Sequence, residues 1–183
     1  MSKVDLSKFN NDWYQPGGSS IKRLIWYFAN ACFFKSSFPI NALKVFLLKL
    51  FGAKLSDGVV IKPGVNIKYP WKLSIGANTW IGENVWIDNL DEVSIGKNCC
   101  ISQGAMLLCG NHNYKKVSFD LIVKPIVLKD GAWVGAKATV CPCVTMEEHS
   151  ILTVGSILTS NAEAFGIYSG NPALLKRKRV IES

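Results

Sequence analysis

Carboxylates are scarce in this chain. Of its 183 residues 13 are Asp or Glu against 21 Lys or Arg, a formal charge of +8. A surplus of that size suits a polyphosphate ligand, an anionic membrane surface or a nucleic acid, and by itself it chooses none of them. Histidine is scarcer still. His112 and His149 are the only two, too few for the three-histidine zinc centre of a prism-type carbonic anhydrase. The six cysteines lack metal-ligand spacing, since Cys99 and Cys100 are adjacent and Cys141-x-Cys143 has no second pair. They are expected to be reduced thiols used as small apolar side chains, and no metal is expected. Long apolar runs are also missing. The longest, Leu24 to Phe34, contains Asn30 and is too short to cross a bilayer. Signal-peptide grammar is absent from the polar stretch Met1 to Asp12. A cytoplasmic protein, either soluble or peripheral to the inner face of the membrane, is therefore expected. No interleaved aromatic and basic module of the RNA-recognition kind is visible, so nucleic acid is not an expected partner.

What the chain does have is a repeat. From residue 59 an aliphatic residue returns at every sixth position. Ile61 and Ile67 open the series, which continues as Ile75, Ile81, Ile87, then Ile95, Ile101, Leu107, with a step of eight between groups. Past an interruption it resumes as Leu128, Val134, Val140, Met146, Leu152 and Leu158. Such a period matches neither an α-helix nor an alternating strand. It matches a short strand plus a corner, three of which close a triangular coil of about eighteen residues. The position four after the aliphatic should also point inward, and it holds Thr79, Val85, Cys99, Ala105, Ala138, Val144 and Ser150. Gly76, Gly82, Gly96 and Gly135 directly follow ladder residues and are expected to permit the sharp corner. A β-sandwich would instead need period-two alternation and Asn-Gly hairpin turns, and the Asn-Gly pair does not occur.

Around this prism the chain divides into an N-terminal helical extension over 1–58, a β-helix over 59–164 with a loop extruded at about 110–125, and a basic tail over 165–183. Leu43, Phe46, Leu47 and Leu50 have helical spacing. Pro39 disfavours helix in the residue before it, so two helices, over 21–35 and 40–51, should precede the prism. They carry many aromatics among Lys and Arg, a composition found on interfacial segments. Their expected role is to cap the first coil, with peripheral membrane contact through 21–51 as an addition. The tail, with Lys176, Arg177, Lys178 and Arg179, is expected to form a short terminal helix.

His112 and His149 occupy different settings. His149 falls on a repeat corner and is expected to be structural. His112 sits in the extruded loop, within Gly110-Asn111-His112-Asn113-Tyr114. A histidine on a loop of a rigid scaffold is either a general base or a solvated side chain, and position alone leaves both open.

The run Lys124 to Thr145, with Gly155-Ser156 and Gly170-Asn171-Pro172-Ala173, resembles the hexapeptide-repeat O-acetyltransferases. Val59 to Trp71, Trp86 to Leu90 and Cys109 to Tyr114 are similar to the branch associated with colanic acid and other exopolysaccharides. The resemblance covers roughly residues 13–180. It implies an all-β, left-handed parallel β-helix, a homotrimer with active sites between neighbouring prisms, and acetyl transfer from acetyl-CoA to a saccharide hydroxyl. The family's catalytic base maps to His112, with a backbone N–H of the coil expected to face the oxyanion. Asp88 and Asn89 map to acceptor contacts, although a polar corner of a repeat would look the same. Coenzyme A contacts map to Trp133, Ala136, Val154, Thr159 and Arg177. Trp80, Trp86 and Trp133 each precede an inward aliphatic, so they face outward, where packing is the alternative role. The chain departs from the family pattern at Cys143, Val154, Ser160 and Leu174; Lys176 to Arg179 are expected to replace the missing charge near the nucleotide phosphates. Other acceptors (an amino sugar, serine, a xenobiotic) and a non-catalytic β-helix scaffold remain alternatives at this level.

Overall fold

The computed structural model describes residues 2–182. The six-residue period builds a three-faced, left-handed parallel β-helix of about six turns. The first face stacks Lys54–Leu55, Leu73–Ile75, Val93–Ile95, Ile126–Leu128 and Thr145–Met146 in parallel register. The second stacks Val60–Ile61, Trp80–Ile81, Cys100–Ile101, Trp133–Val134, Ile151–Leu152 and Gly166–Gly170, and the third Asn66–Ile67, Trp86–Asp88, Met106–Leu108, Thr139–Val140 and Ile157–Leu158. No ladder residue of the repeat is more than 4% exposed, and the second inward set is buried throughout. Each such aliphatic contributes on the order of 1.5–3 kcal/mol by burial, so the ladder is the main apolar term. Trp80, Trp86 and Trp133 face outward as expected.

The glycines after the ladder residues serve a different purpose from the one expected. Gly76, Gly82, Gly96 and Gly135 are not in the left-handed region; that conformation is taken two residues later, by Asn78, Asn84, Asn98 and Lys137. A Cβ on Gly76 would sit 2.5 Å from the backbone of Gly96 in the next coil. The small residue is therefore required by the close approach of successive coils, and the turn itself is made by the residue two places on.

The N-terminal helices are α1 (Ser20–Ala29), continued by a π-helical turn Asn30–Phe34, and α2 (Asn41–Leu50). Among the described residues no helix is long and apolar enough to cross a membrane. Trp26, Phe34, Leu48 and Phe51 bury against the first coil. The helices also complete its backbone. Asn41 accepts from Ile61 N–H at 2.7 Å and donates to Val59 C=O at 3.0 Å. Trp26 Nε1 donates to Ile67 C=O at 2.9 Å, and the fully buried Lys44 reaches Ile61 C=O at 3.4 Å. Burial pushes the Lys44 ammonium below its usual range. The exposed edge of a parallel solenoid thus finds its hydrogen-bond partners in side chains.

One expectation is corrected. The terminal segment is a strand, Ala173–Lys178, antiparallel to Gly166–Gly170. Its Ala-Leu-Leu-Lys-Arg-Lys run has good helix formers, but the open edge of the second face offers a complete ladder of partners, and tertiary pairing overrides the weak local preference. The extruded segment is ordered as well: Gly110–His112 pairs antiparallel with Leu121–Val123.

Removing the cap's amide should expose the importance of these bonds. Asn41→Ala leaves Ile61 N–H and Val59 C=O without their partner and is expected to destabilise the fold by about 2–4 kcal/mol. A denaturant midpoint equal to that of the parent protein would show that water replaces the side chain without loss.

Candidate active site

The hairpin bearing His112 leaves the prism where the third face hands over to the first, between Met106–Leu108 and Ile126–Leu128. Gly110 starts it because a Cβ there would meet Leu90 Cδ1 at 2.6 Å. His112 Nδ1 lies 2.9 Å from the carbonyl oxygen of Phe119. A carbonyl only accepts, so Nδ1 carries a proton, and in the neutral ring the lone pair is on Nε2. The imidazole is further held by stacking on Phe119, with centroids 4.5 Å apart and planes at 9°, and by a tilted contact with Phe9 at 5.8 Å. Phe119 is itself in the left-handed region at φ 51°, which turns its carbonyl toward the ring.

His112 lines a cleft of about 870 Å³. Asp88 lines the same cleft, its carboxylate almost buried and paired with Lys68 Nζ at 3.0 Å. The structure therefore brings these two expected residues together. It does not bring Asn89 to the cleft surface. Asn89 is fully buried, accepts from Tyr69 N–H at 3.0 Å and donates to Tyr69 C=O at 2.6 Å. Its amide fixes the backbone of Tyr69, which does line the cleft.

The opposite wall comes from a segment that sequence reasoning left out, the strap Phe9 to Pro16. Tyr14 donates to Leu90 C=O at 2.7 Å, and Lys72 ties the strap down by donating to Leu90 C=O at 2.6 Å and Gln15 C=O at 3.2 Å. The Lys72 ammonium also lies 4.9 Å from the Tyr14 ring centroid. Burial raises the Tyr14 hydroxyl well above its ordinary range, so it stays a neutral donor. Burial also lowers the Lys72 ammonium, against the opposing pull of Asp91 and Glu92. Trp13 and Tyr14 were the available signal, since two adjacent aromatics in a polar stretch need something to pack on.

The expected coenzyme A residues lie elsewhere on the prism. Ala136 and Val154 occupy successive turns of the corner between the second and third faces, joined by Gly155 N–H to Ala136 C=O at 2.9 Å. Trp133 lies outward on the second face, with Nε1 donating to Ser102 Oγ at 2.9 Å. Thr159 is exposed just after Ile157–Leu158, and Arg177 is exposed on the terminal strand. None of the five lines the His112 cleft. In the basic tail, Lys178 pairs with Glu163 at 2.8 Å and Arg179 donates to the carbonyls of Gly131 and His149, both at 3.3 Å. Lys178 is thus paired and Arg179 is oriented by neutral carbonyls, while Lys176 and Arg177 form no ion pair among the described residues. His149 is packed at a corner, with its ring against Gly131 and 4.9 Å from that of Phe165.

No protein-family model matches the chain. It is 36% identical over 177 residues to the Escherichia coli (strain K12) protein named for colanic acid biosynthesis, acetyltransferase WcaF, covering 96% of this chain and 97% of that one. The hexapeptide-repeat acetyltransferase VCA0836 of Vibrio cholerae, solved with acetyl coenzyme A, superposes with a TM-score of 0.78 at 19% identity, over 88% of this chain and 91% of that one. A galactoside acetyltransferase solved with coenzyme A gives 0.77 at 24% identity, over 86% and 80%.

The strap is anchored by Lys72, by the Tyr14 hydroxyl and by Trp71, whose Nε1 donates to Pro16 C=O at 2.8 Å. Lys72→Ala is expected to speed amide hydrogen exchange across residues 9–16 by about tenfold or more while the prism core stays protected. Unchanged exchange in the strap would mean that Tyr14 and Trp71 hold it without Lys72.

Proposed function

Because the chain belongs to the family of the colanic acid biosynthesis acetyltransferases, within the hexapeptide-repeat acetyltransferases, we propose that it transfers an acetyl group from acetyl-CoA to a hydroxyl of a saccharide acceptor, with His112 as the base. The observation that carries this reading is the Nδ1–H bond of His112 to Phe119 C=O, on a ring that lines a cleft large enough for a sugar. The bond fixes the tautomer that a general base needs.

In this reading His112 Nε2 takes the proton of the acceptor hydroxyl as its oxygen bonds to the thioester carbonyl carbon. The carbon–sulfur bond breaks, and the proton leaves on the coenzyme A thiol, which returns His112 to its starting form. Asp88, held by Lys68, accepts a hydrogen bond from a second acceptor hydroxyl and orients the sugar. Tyr14 and Asn89 act by positioning the cleft walls. The coenzyme fits the corner formed by Ala136 and Val154, where the backbone is accessible, with Trp133 and Thr159 beside it. Arg177, which makes no ion pair among the described residues, serves a phosphate.

Acetyl-CoA supplies the activated acyl group, and it must meet His112 although the two sites lie on different corners of one prism. That separation supports a homotrimer in which one protomer's His112 hairpin faces its neighbour's coenzyme corner. The protein is assigned to the cytoplasm, where acetyl-CoA is made.

His112→Ala is expected to lower the acetyl-transfer rate by about 10²–10⁴-fold with coenzyme A affinity nearly unchanged; wild-type turnover in this variant would remove His112 from the mechanism. Sedimentation should give a trimer at micromolar concentration. Mixing His112→Ala protomers with Ala136→Trp protomers should restore activity through hybrid sites that carry neither lesion, and a mixture as inactive as its parts would argue against shared sites.

A further inference from the structure

Beside α1 lies a second cleft of about 350 Å³ that the reaction described above leaves unused. Arg23, Lys35 and Lys68 line it, with Tyr27 and Trp86 as exposed aromatic walls and Asn66 between them. No Asp or Glu belongs to its lining. Lys68 is neutralised by Asp88, but Arg23 and Lys35 form no ion pair among the described residues. The Arg23 guanidinium bonds instead to neutral groups, Gly18 C=O at 2.7 Å and Ser20 Oγ at 3.0 Å, which orient it without cancelling its charge. A concave, carboxylate-free surface with two uncompensated cations concentrates anions.

This cleft shares a wall with the one that His112 lines. Lys68 and Tyr69 line both. A ligand reaching from His112 past Tyr69 would place its far end among Lys68, Lys35 and Arg23. We infer that the acceptor is a saccharide bearing a phosphate, whose phosphate sits between Arg23 and Lys35 while a hydroxyl of its sugar lies at His112. The arginine fork and lysine ammonium match phosphate oxygens, and Tyr27 and Trp86 offer apolar faces to a sugar ring. The phosphate itself does not depend on the acetyl-transfer reading; its identity as part of the acceptor does.

The phosphate has two sources, a soluble glycosyl phosphate or a lipid-borne one. The opposite side of α1 bears on the distinction. There Ile21, Ile25, Phe28, Phe33, Leu47 and Leu50 line an apolar groove that would meet a lipid surface.

Calorimetric titration with a hexose and its 1-phosphate, in saturating coenzyme A so that the coenzyme's own phosphate site is filled, tests the inference. The 1-phosphate should bind about tenfold or more tightly, with a preference that shrinks as salt is added. Lys35→Ala should reduce that preference and Arg23→Ala/Lys35→Ala abolish it, leaving hexose affinity unchanged. Lys35 is exposed and its side chain makes no hydrogen bond or ion pair among the described residues, so the single variant stays informative should loss of Arg23 disturb α1. Equal affinity for the two ligands, or a preference that survives in both variants, overturns the inference. Transfer assays with the same pair separate the two readings. Acetylation without phosphate preference leaves the function standing and this cleft unassigned, whereas phosphate binding without turnover does the reverse. Co-sedimentation with phosphatidylcholine vesicles, with and without phosphatidic acid, in wild type and Phe28→Ser then distinguishes a lipid-borne phosphate from a soluble one.

Discussion

Ile61, Ile81, Ile101, Val134 and Leu152 lie one above another on the second face, buried and in parallel register. Each coil satisfies its backbone only by meeting the next, and each buries its aliphatic only against the same position one coil away. From that stacking the rest follows. Successive coils approach so closely that Gly76 and Gly96 tolerate no side chain. Stacking also leaves two ends that it cannot satisfy, and the chain treats them differently. At the start, Asn41, Lys44 and Trp26 supply the missing hydrogen-bond partners from helices. At the finish, Ala173–Lys178 turns back and adds an antiparallel strand.

A rigid prism also bears on where a deep cleft forms. Its faces are regular ladders, and the His112 cleft opens where the repeat is interrupted. The His112 hairpin interrupts the corner between the third and first faces, and the strap from Phe9 to Pro16 closes against it. The imidazole is held by one hydrogen bond and two aromatic contacts, one from each of those irregular segments. The scaffold's own share is Asp88, at the end of a regular strand, where burial and Lys68 keep it in place.

Much of this was legible in the chain. The inward ladder, the outward tryptophans, two helices before the prism and His112 on an extruded segment all follow from spacing. The strap was not legible, because Tyr14 meets Leu90 across 76 positions and nothing local marks that pairing. The burial of Asn89 was not legible for a related reason. Its neighbour Asp88 faces the cleft, and only the turn after that strand decides that Asn89 points back onto the Tyr69 backbone. The cationic cleft draws on residues 23, 35, 66, 68 and 86, which no window along the sequence contains.

The sequence by itself determined the period, and with it the prism, since hydrophobic burial repeats wherever the same inward position recurs and needs only neighbours one coil away. It also set His112, on the extruded segment, apart from His149 on a repeat corner. Only the tertiary structure decided which nitrogen of His112 faces a carbonyl, which carboxylates share its cleft, and which cations form no ion pair among the described residues. Those depend on single hydrogen bonds and ion pairs between segments far apart in the chain. A polar atom, unlike an apolar surface, is satisfied by one partner in one direction, and the partner is chosen by where the folded chain happens to place it.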